Sequence, residues 1–133
     1  MRIAKLSIYF LVGGLLYTGL ELCWRGWTHG SMFLLGGVCF VLLERIGRSH
    51  QPFLTQMLLG MGTITALEFL SGLLINRILG LAVWDYSDRP FQLLGQICLG
   101  YSLLWLPVSG MGLLCARGMG RLMGDAPHPI RWV

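Results

Sequence analysis

The sequence predicts an all-α integral membrane protein, a four-helix bundle with both termini on the cytoplasmic side. Three observations predict it. First, hydrophobic residues make up 55% of the 133 residues and charged residues only 12%, about half the charged share usual in a soluble domain. The mean hydropathy is +0.68. So little charge cannot dress a water-facing surface. Second, the apolar residues gather into four runs of membrane-crossing length, separated by short polar turns. Third, ten Lys and Arg outnumber six Asp and Glu and lie mostly between and after those runs. In a soluble chain that excess would suggest nucleic acid. Here it fits the positive-inside bias, and no nucleic-acid partner is expected.

The first helix is expected over Leu6 to Trp24. Arg2 and Lys5 precede it, as in a signal peptide, but no small-x-small cleavage site follows, so the helix is read as retained. Trp24 and Trp27 suit the aromatic belt at its far end. Gly26 to Ser31 forms a turn. The second helix, Met32 to Ile46, is short for a span and has room to extend at either end. Glu44 and Arg45 are read as interfacial. Pro52 is well placed to start the third helix, Phe53 to about Leu81. Val83 to Pro90 is the next loop, and Phe91 to about Leu114 the fourth helix, with a kink expected at Pro107. The transmembrane domain is thus 1–116, and 117–133 is a loosely ordered cytoplasmic tail.

Four spans put both ends of the chain on one side. That side would hold Arg2, Lys5, Arg45, Arg48, Arg117, Arg121 and Arg131, against Arg25, Arg77 and Arg89 on the other. The bias predicts cytoplasmic termini and a multi-pass protein of the cell membrane, the inner membrane of a bacterium. The four cysteines, Cys23, Cys39, Cys98 and Cys115, form no C-x-x-C pair and read as small apolar packing residues. No His/Cys spacing suggests a metal site, and no cofactor is expected.

Charge inside the spans marks the candidate site. An acid at membrane depth costs about 2.5–3.5 kcal/mol on insertion scales and so faces protein or water with a partner. Glu21 is as far from Leu6 as Glu68 is from Phe53, about 22 Å at the helical rise, so both acids fall in the outer half of the membrane. Arg25 follows Glu21 at i+4 and can pair with it, as a self-contained ion pair or shared with an anionic ligand. Glu68 is read either as bonded within the bundle, to Thr65, Gln96 or Tyr101, or as an ion, proton or substrate contact. Asn76 lies two turns beyond Glu68, and Gln96 enters from the outer end of the fourth helix, each as interhelical glue or ligand. His29, Trp84, Asp85, Tyr86 and Ser87 form the outer rim, where Asp and Ser also make ordinary turn bonds. No nucleophile elbow joins Ser87, His29 and an Asp into a hydrolytic triad. The pairs Gly13-Gly14 and Gly36-Gly37, with Gly60-x-Gly62 and the four-residue recurrence Gly112, Ala116, Gly120, Gly124, present small faces that permit close helix packing or a homodimer.

Glu21-Leu-Cys-Trp-Arg25-Gly, Ser31-Met-Phe-Leu-Leu-Gly-Gly37, Leu67-Glu68-Phe-Leu-Ser-Gly72, Asn76, Trp84-Asp-Tyr-Ser87, Pro90-Phe91 and Gly95-Gln-Ile-Cys98 resemble the ABC-transporter type IV (CmpB-like) family of small membrane proteins. The resemblance runs from about Glu21 to Trp105, and Trp-Asp-Tyr-Ser with the following Pro-Phe is its most specific part. The family usually shows Asn after Pro-Phe, where this chain has Gln92. The resemblance implies a polytopic membrane protein. Without a P-loop the chain would be at most the membrane subunit of an ATP-driven machine. Three functions stand at this stage. One is a non-enzymatic transporter- or channel-like component that binds or moves a small polar or ionic solute. The second is a structural or accessory subunit of a larger membrane complex. The third is a membrane enzyme acting on lipid headgroups, with His29 or Asp85 as acid–base. Membrane lipids and a second copy of the chain are the expected partners.

Overall fold

Apolar runs too long to be satisfied in water become helices because each backbone amide then bonds within its own segment. The computed structural model describes residues 2–125 and Ile130. Its helices are α1 (Arg2–Arg25), α2 (Gly30–Gly47), α3 (Phe53–Gly72) and α4 (Leu99–Leu122). α3 runs on into one wider π-helical turn, Leu73–Ile78, and two short strands, β1 (Gln92–Leu93) and β2 (Ile97–Cys98), precede α4. Four helices among the described residues are long and apolar enough to cross a membrane. Their outward faces carry Leu11, Leu34, Leu54, Leu70, Leu103 and Leu114, all exposed, as suits a surface solvated by lipid. The expected tail residue Arg131 lies outside the described residues.

α1 and α2 pack through the glycine pairs. Phe33 lies over Gly14 and Phe10 over Gly37, while Phe40 sits against Gly13 and Tyr17 against Gly36. A methyl group at Gly36 would meet the Gly13 carbonyl oxygen at 2.8 Å. Each helix thus offers a small pair to two aromatics of the other. α3 closes on α2 and α4 at Gly60, where a Cβ would meet Leu43 at 2.7 Å and Ser109 at 2.8 Å. The core between them is Met32, Leu35, Cys39, Phe40, Leu43, Ile64 and Leu113. Backbone contact between α1 and α4 is sparse. They meet through three side chains of α1: the Tyr9 hydroxyl donates to the Ala116 carbonyl at 3.2 Å, the Tyr17 ring stacks on Trp105, and Trp24 packs edge-on against Tyr101.

The end of the bundle where α1 begins and α4 finishes is tied by ions. Lys5 pairs with Asp125, which also faces Arg48 at 3.6 Å. Arg48 Nε donates to Glu44 Oε1 at 2.5 Å. Glu44 is buried in the bundle, its partner Arg48 lying one turn further on and folding back over it.

The fourth helix differs most from its sequence expectation. It starts at Leu99 rather than Phe91, and ends at Leu122 rather than Leu114. Phe91, Leu94 and Gly95 have φ of 54°, 52° and 74°, a left-handed backbone that cannot continue a right-handed helix. The Gln92 side chain accepts from the Gly95 amide at 2.6 Å, and Gln92 pairs with Cys98 and Leu93 with Ile97 in an antiparallel hairpin. At the far end Arg117 to Leu122 is helical, not tail. Gly118 and Gly120 do not stop the helix; Gly124, at φ 84°, does. Asp125 N bonds back to the Gly120 carbonyl there at 2.8 Å.

Candidate functional site

The connector from α3 to α4 folds into a cap over the bundle end where α1 finishes and α4 begins. Asn76, in the π turn, holds it together. Its carbonyl oxygen accepts from the backbone of Val83 at 2.7 Å and Trp84 at 3.3 Å. Its amide donates to Gln96 Oε1 at 2.8 Å. The Trp84 indole donates to the Gln96 carbonyl at 2.9 Å, and its ring packs close to Gly72, where a Cβ would lie 3.0 Å from it. Tyr86 N reaches the Gly95 carbonyl at 2.7 Å, joining the loop to the hairpin. Asn76 and Gln96 are thus spent on the loop, and Gln96 sits on the hairpin rather than on a fourth-helix face.

Beneath this cap a cavity of about 420 Å³ opens between α1, α4 and the loop. From α1 come Tyr17, Leu20, Glu21, Trp24 and Arg25; from the loop Trp84, Asp85, Tyr86, Asp88 and Arg89; from α4 Tyr101, Leu104, Trp105 and Val108. The size lies within the range of small-molecule sites, as does an apolar lining with a few polar groups. Arg25 Nε donates to Glu21 Oε2 at 2.6 Å, and Nη1 to the Val83 carbonyl at 2.7 Å. Its guanidinium also stacks over Trp27, 4.3 Å from the ring centroid. The remaining nitrogen, Nη2, is buried without a partner. Arg89 lies over the Tyr101 ring at 5.0 Å, and Tyr101 stacks in turn on Tyr86 at 5.0 Å. The Trp24 indole donates to the Tyr101 hydroxyl at 3.1 Å.

Glu68 is buried at 3% exposure and accepts from the Trp105 indole. That donor is none of the three the sequence suggested: Thr65, Gln96 and Tyr101 turn elsewhere, and the Thr65 hydroxyl is itself buried without a partner. Trp105 lines the cavity with its ring and reaches Glu68 with its nitrogen, so Glu68 stands one side chain behind the cavity wall while Glu21 stands in it.

The loop groups differ in electrostatics. Hydrogen bonds from the Ser87 hydroxyl and backbone hold the exposed Asp85 carboxyl below its ordinary range; the backbone bond is 2.9 Å long. Burial pushes the Tyr86 phenol well up, with the Glu68 and Glu21 carboxylates adding to the shift. Tyr86 therefore stays a neutral phenol while Asp85 stays charged.

Of the residues singled out from sequence, Glu21, Arg25, Trp84, Asp85 and Tyr86 line this cavity. Asn76, Ser87 and Gln96, again with Trp84 and Asp85, line a shallower cleft on the other side of the loop. His29 lines neither; its Nδ1 accepts from the Ser31 amide at 3.2 Å and caps α2. Sequence reasoning missed Tyr17, Trp24, Asp88, Arg89, Tyr101 and Trp105 as cavity residues. A signal existed for several. Tyr17, Glu21 and Arg25 recur at i+4 along α1, and Tyr101 and Trp105 do so along α4, which puts each set on one helix face.

A family model described as "Putative ABC-transporter type IV" matches residues 8–119. Neither a curated protein nor a solved structure matches the chain significantly. The matched stretch takes in most of α1 and α4, all of α2 and α3 and the whole cap, and the chain belongs to that transporter family of multi-pass membrane proteins.

Proposed function

We propose that this protein is a non-enzymatic membrane component that binds or moves a small polar or ionic solute through the cavity under the α3–α4 cap. The observation that carries this reading is the convergence there of Glu21, Arg25, Asp85 and Arg89 with a ring of aromatics, backed by a buried acid on the third helix. Intramembrane ionisable groups that face a cavity mark solute or ion paths more often than packing. The excess of basic residues at the terminal end supports a cytoplasmic placement for it and an outward-facing cavity. No ATP-binding motif is present in the chain, so ATP-driven movement would need a second subunit.

The test uses purified protein in detergent and a panel of inorganic ions and small polar solutes, read by tryptophan fluorescence, since Trp24, Trp84 and Trp105 line the cavity. The expected result is a saturable response that Glu68→Gln weakens about tenfold, roughly 1.4 kcal/mol, while expression stays normal. A response indifferent to Glu68→Gln counts against the reading.

One observation favours a second reading, that of a structural or accessory subunit. Glu68, Glu21, Asn76 and Gln96 each have a partner within the chain, as residues that lock a bundle do. On that reading Glu68→Gln lowers thermal stability, no solute responds, and a larger membrane partner co-purifies.

A further inference from the structure

Each acid in or just beyond a helix has a base beside it, with one exception. Glu21 pairs with Arg25, Glu44 with Arg48, and Asp125 with Lys5 and Arg48. Glu68 has no base among the described residues; its partner is the neutral Trp105 indole. The groups that face it from the other elements add no positive charge. They are Tyr17 and Glu21 of α1, Cys39 of α2 and Tyr86 of the loop, all neutral or acidic. Arg25, the base of the same cavity wall, is turned to Glu21 and to the Val83 carbonyl.

A carboxylate buried at membrane depth without a base draws a positive charge from elsewhere. Two such charges have access to this one. A proton makes it a neutral acid that still accepts from the indole. A cation in the cavity stands one side chain away, because Trp105 bonds Glu68 with its nitrogen and lines the cavity with its ring. Either one balances Glu68, and the two together leave a surplus of positive charge. The acids of the cavity lean the same way, with Glu21, Asp85 and Asp88 set against Arg25 and Arg89.

From this we infer that the cavity takes up a monovalent cation in exchange for a proton held by Glu68. As the cation enters, the Glu68 O–H bond breaks, the proton leaves to water, and the charge of the site is unchanged. The carboxylate does not touch the cation. Its field acts across Trp105, and one charge at that separation in a protein interior changes affinity by about tenfold. The proton crosses when the indole briefly leaves the carboxyl, a local opening that needs no standing channel. The linkage is reciprocal, so added protons weaken the cation and the cation expels the proton. The inference rests on the proposed solute cavity and names the class of solute and the event coupled to its binding.

Protein in dodecylmaltoside is titrated with the chlorides of sodium, potassium and tetramethylammonium, and with tert-butanol as a neutral molecule of similar size to the last. The titrations run from about pH 5 to about pH 9, which spans carboxyl groups in watery and in apolar surroundings. Tryptophan fluorescence reads binding, and a pH indicator in weak buffer reads proton release. The expected result is that at least one cation saturates, binds about tenfold or more tightly at the upper pH than at the lower, and releases a proton as it binds. Glu68→Gln binds that cation weakly and alike at every pH, with no proton released. Glu68→Asp restores both the pH dependence and the release. If the cation binds the unaltered protein without pH dependence or proton release, the exchange falls and the solute cavity stands. A Glu68→Gln variant that keeps the pH dependence has the same consequence. A response that is the same in all three chlorides, or that tert-butanol reproduces, overturns the assignment of the solute as a cation. If nothing saturates at any pH, the cavity is no solute site, and both readings fail together.

Discussion

The Trp105 indole donates its N–H to Glu68 and stacks its face on Tyr17 at 5.7 Å, so one residue joins α4 to both α3 and α1. Replacing it by Phe keeps the ring but leaves a buried carboxylate without its donor, a loss of about 1–3 kcal/mol. Thermal unfolding in detergent should show Trp105→Phe destabilised. Glu68→Gln should cost less, since its amide oxygen still accepts from the indole. Asp85 offers a separate check. Its folded-state pKa lies below the ordinary 3.8 because Ser87 donates to it. Its contribution is thus present at neutral pH and is lost as pH falls through that lower value. A carbon-13 titration should find the Asp85 midpoint below 3.8, and Ser87→Ala should raise it part of the way, the backbone donor remaining. Glu21 and Arg25 were legible in the sequence because an i,i+4 pair of opposite charge needs only helical geometry. The bond between Glu68 and Trp105 was not, because it depends on how far α4 is shifted against α3.

At the scale of elements, the α1–α2 contact was readable and the fourth helix was not. Gly13-Gly14 and Gly36-Gly37 announce close approach, and each pair receives two aromatics of the other helix. Gly36→Ala should therefore destabilise the protein by about 1–3 kcal/mol through overpacking, measured as a lower midpoint of thermal unfolding. Gly19→Ala, at an open position on the same helix pair, should leave the midpoint unmoved. The fourth helix was misplaced by eight residues at each end because its apolar run begins at Phe91, and hydropathy does not distinguish a short hairpin from a first helical turn. Gly95, between Gln92-Leu93 and Ile97-Cys98, was the available signal, since a glycine between two short paired segments suits a tight reversal. Nor does the π turn at Leu73–Ile78 follow from any pattern in Leu-Leu-Ile-Asn-Arg-Ile. It forms where Asn76 is drawn to the loop backbone.

At the scale of the whole molecule, four spans and the sidedness of arginine and lysine make a topology that labelling can test. In a background where Cys23, Cys39, Cys98 and Cys115 are replaced by Ser, Ser87→Cys should react with a membrane-impermeant maleimide in intact cells. Ser49→Cys, in the loop between α2 and α3, should react only after permeabilisation. Both serines are exposed. The reverse pattern would turn the cavity toward the cytoplasm. Membership of the bilayer was plain from composition, whereas the cavity was legible only as a set of rim residues. Its walls come from segments far apart in sequence, and no local pattern reports the gap between α1 and α4.

The reciprocal seating of Phe10, Tyr17, Phe33 and Phe40 on the glycine pairs bears on how the chain is born. All its participants lie within the first forty residues. The grip can close while the ribosome is still producing α3, so the opening hairpin leaves the translocon as a finished piece on which the later helices are laid.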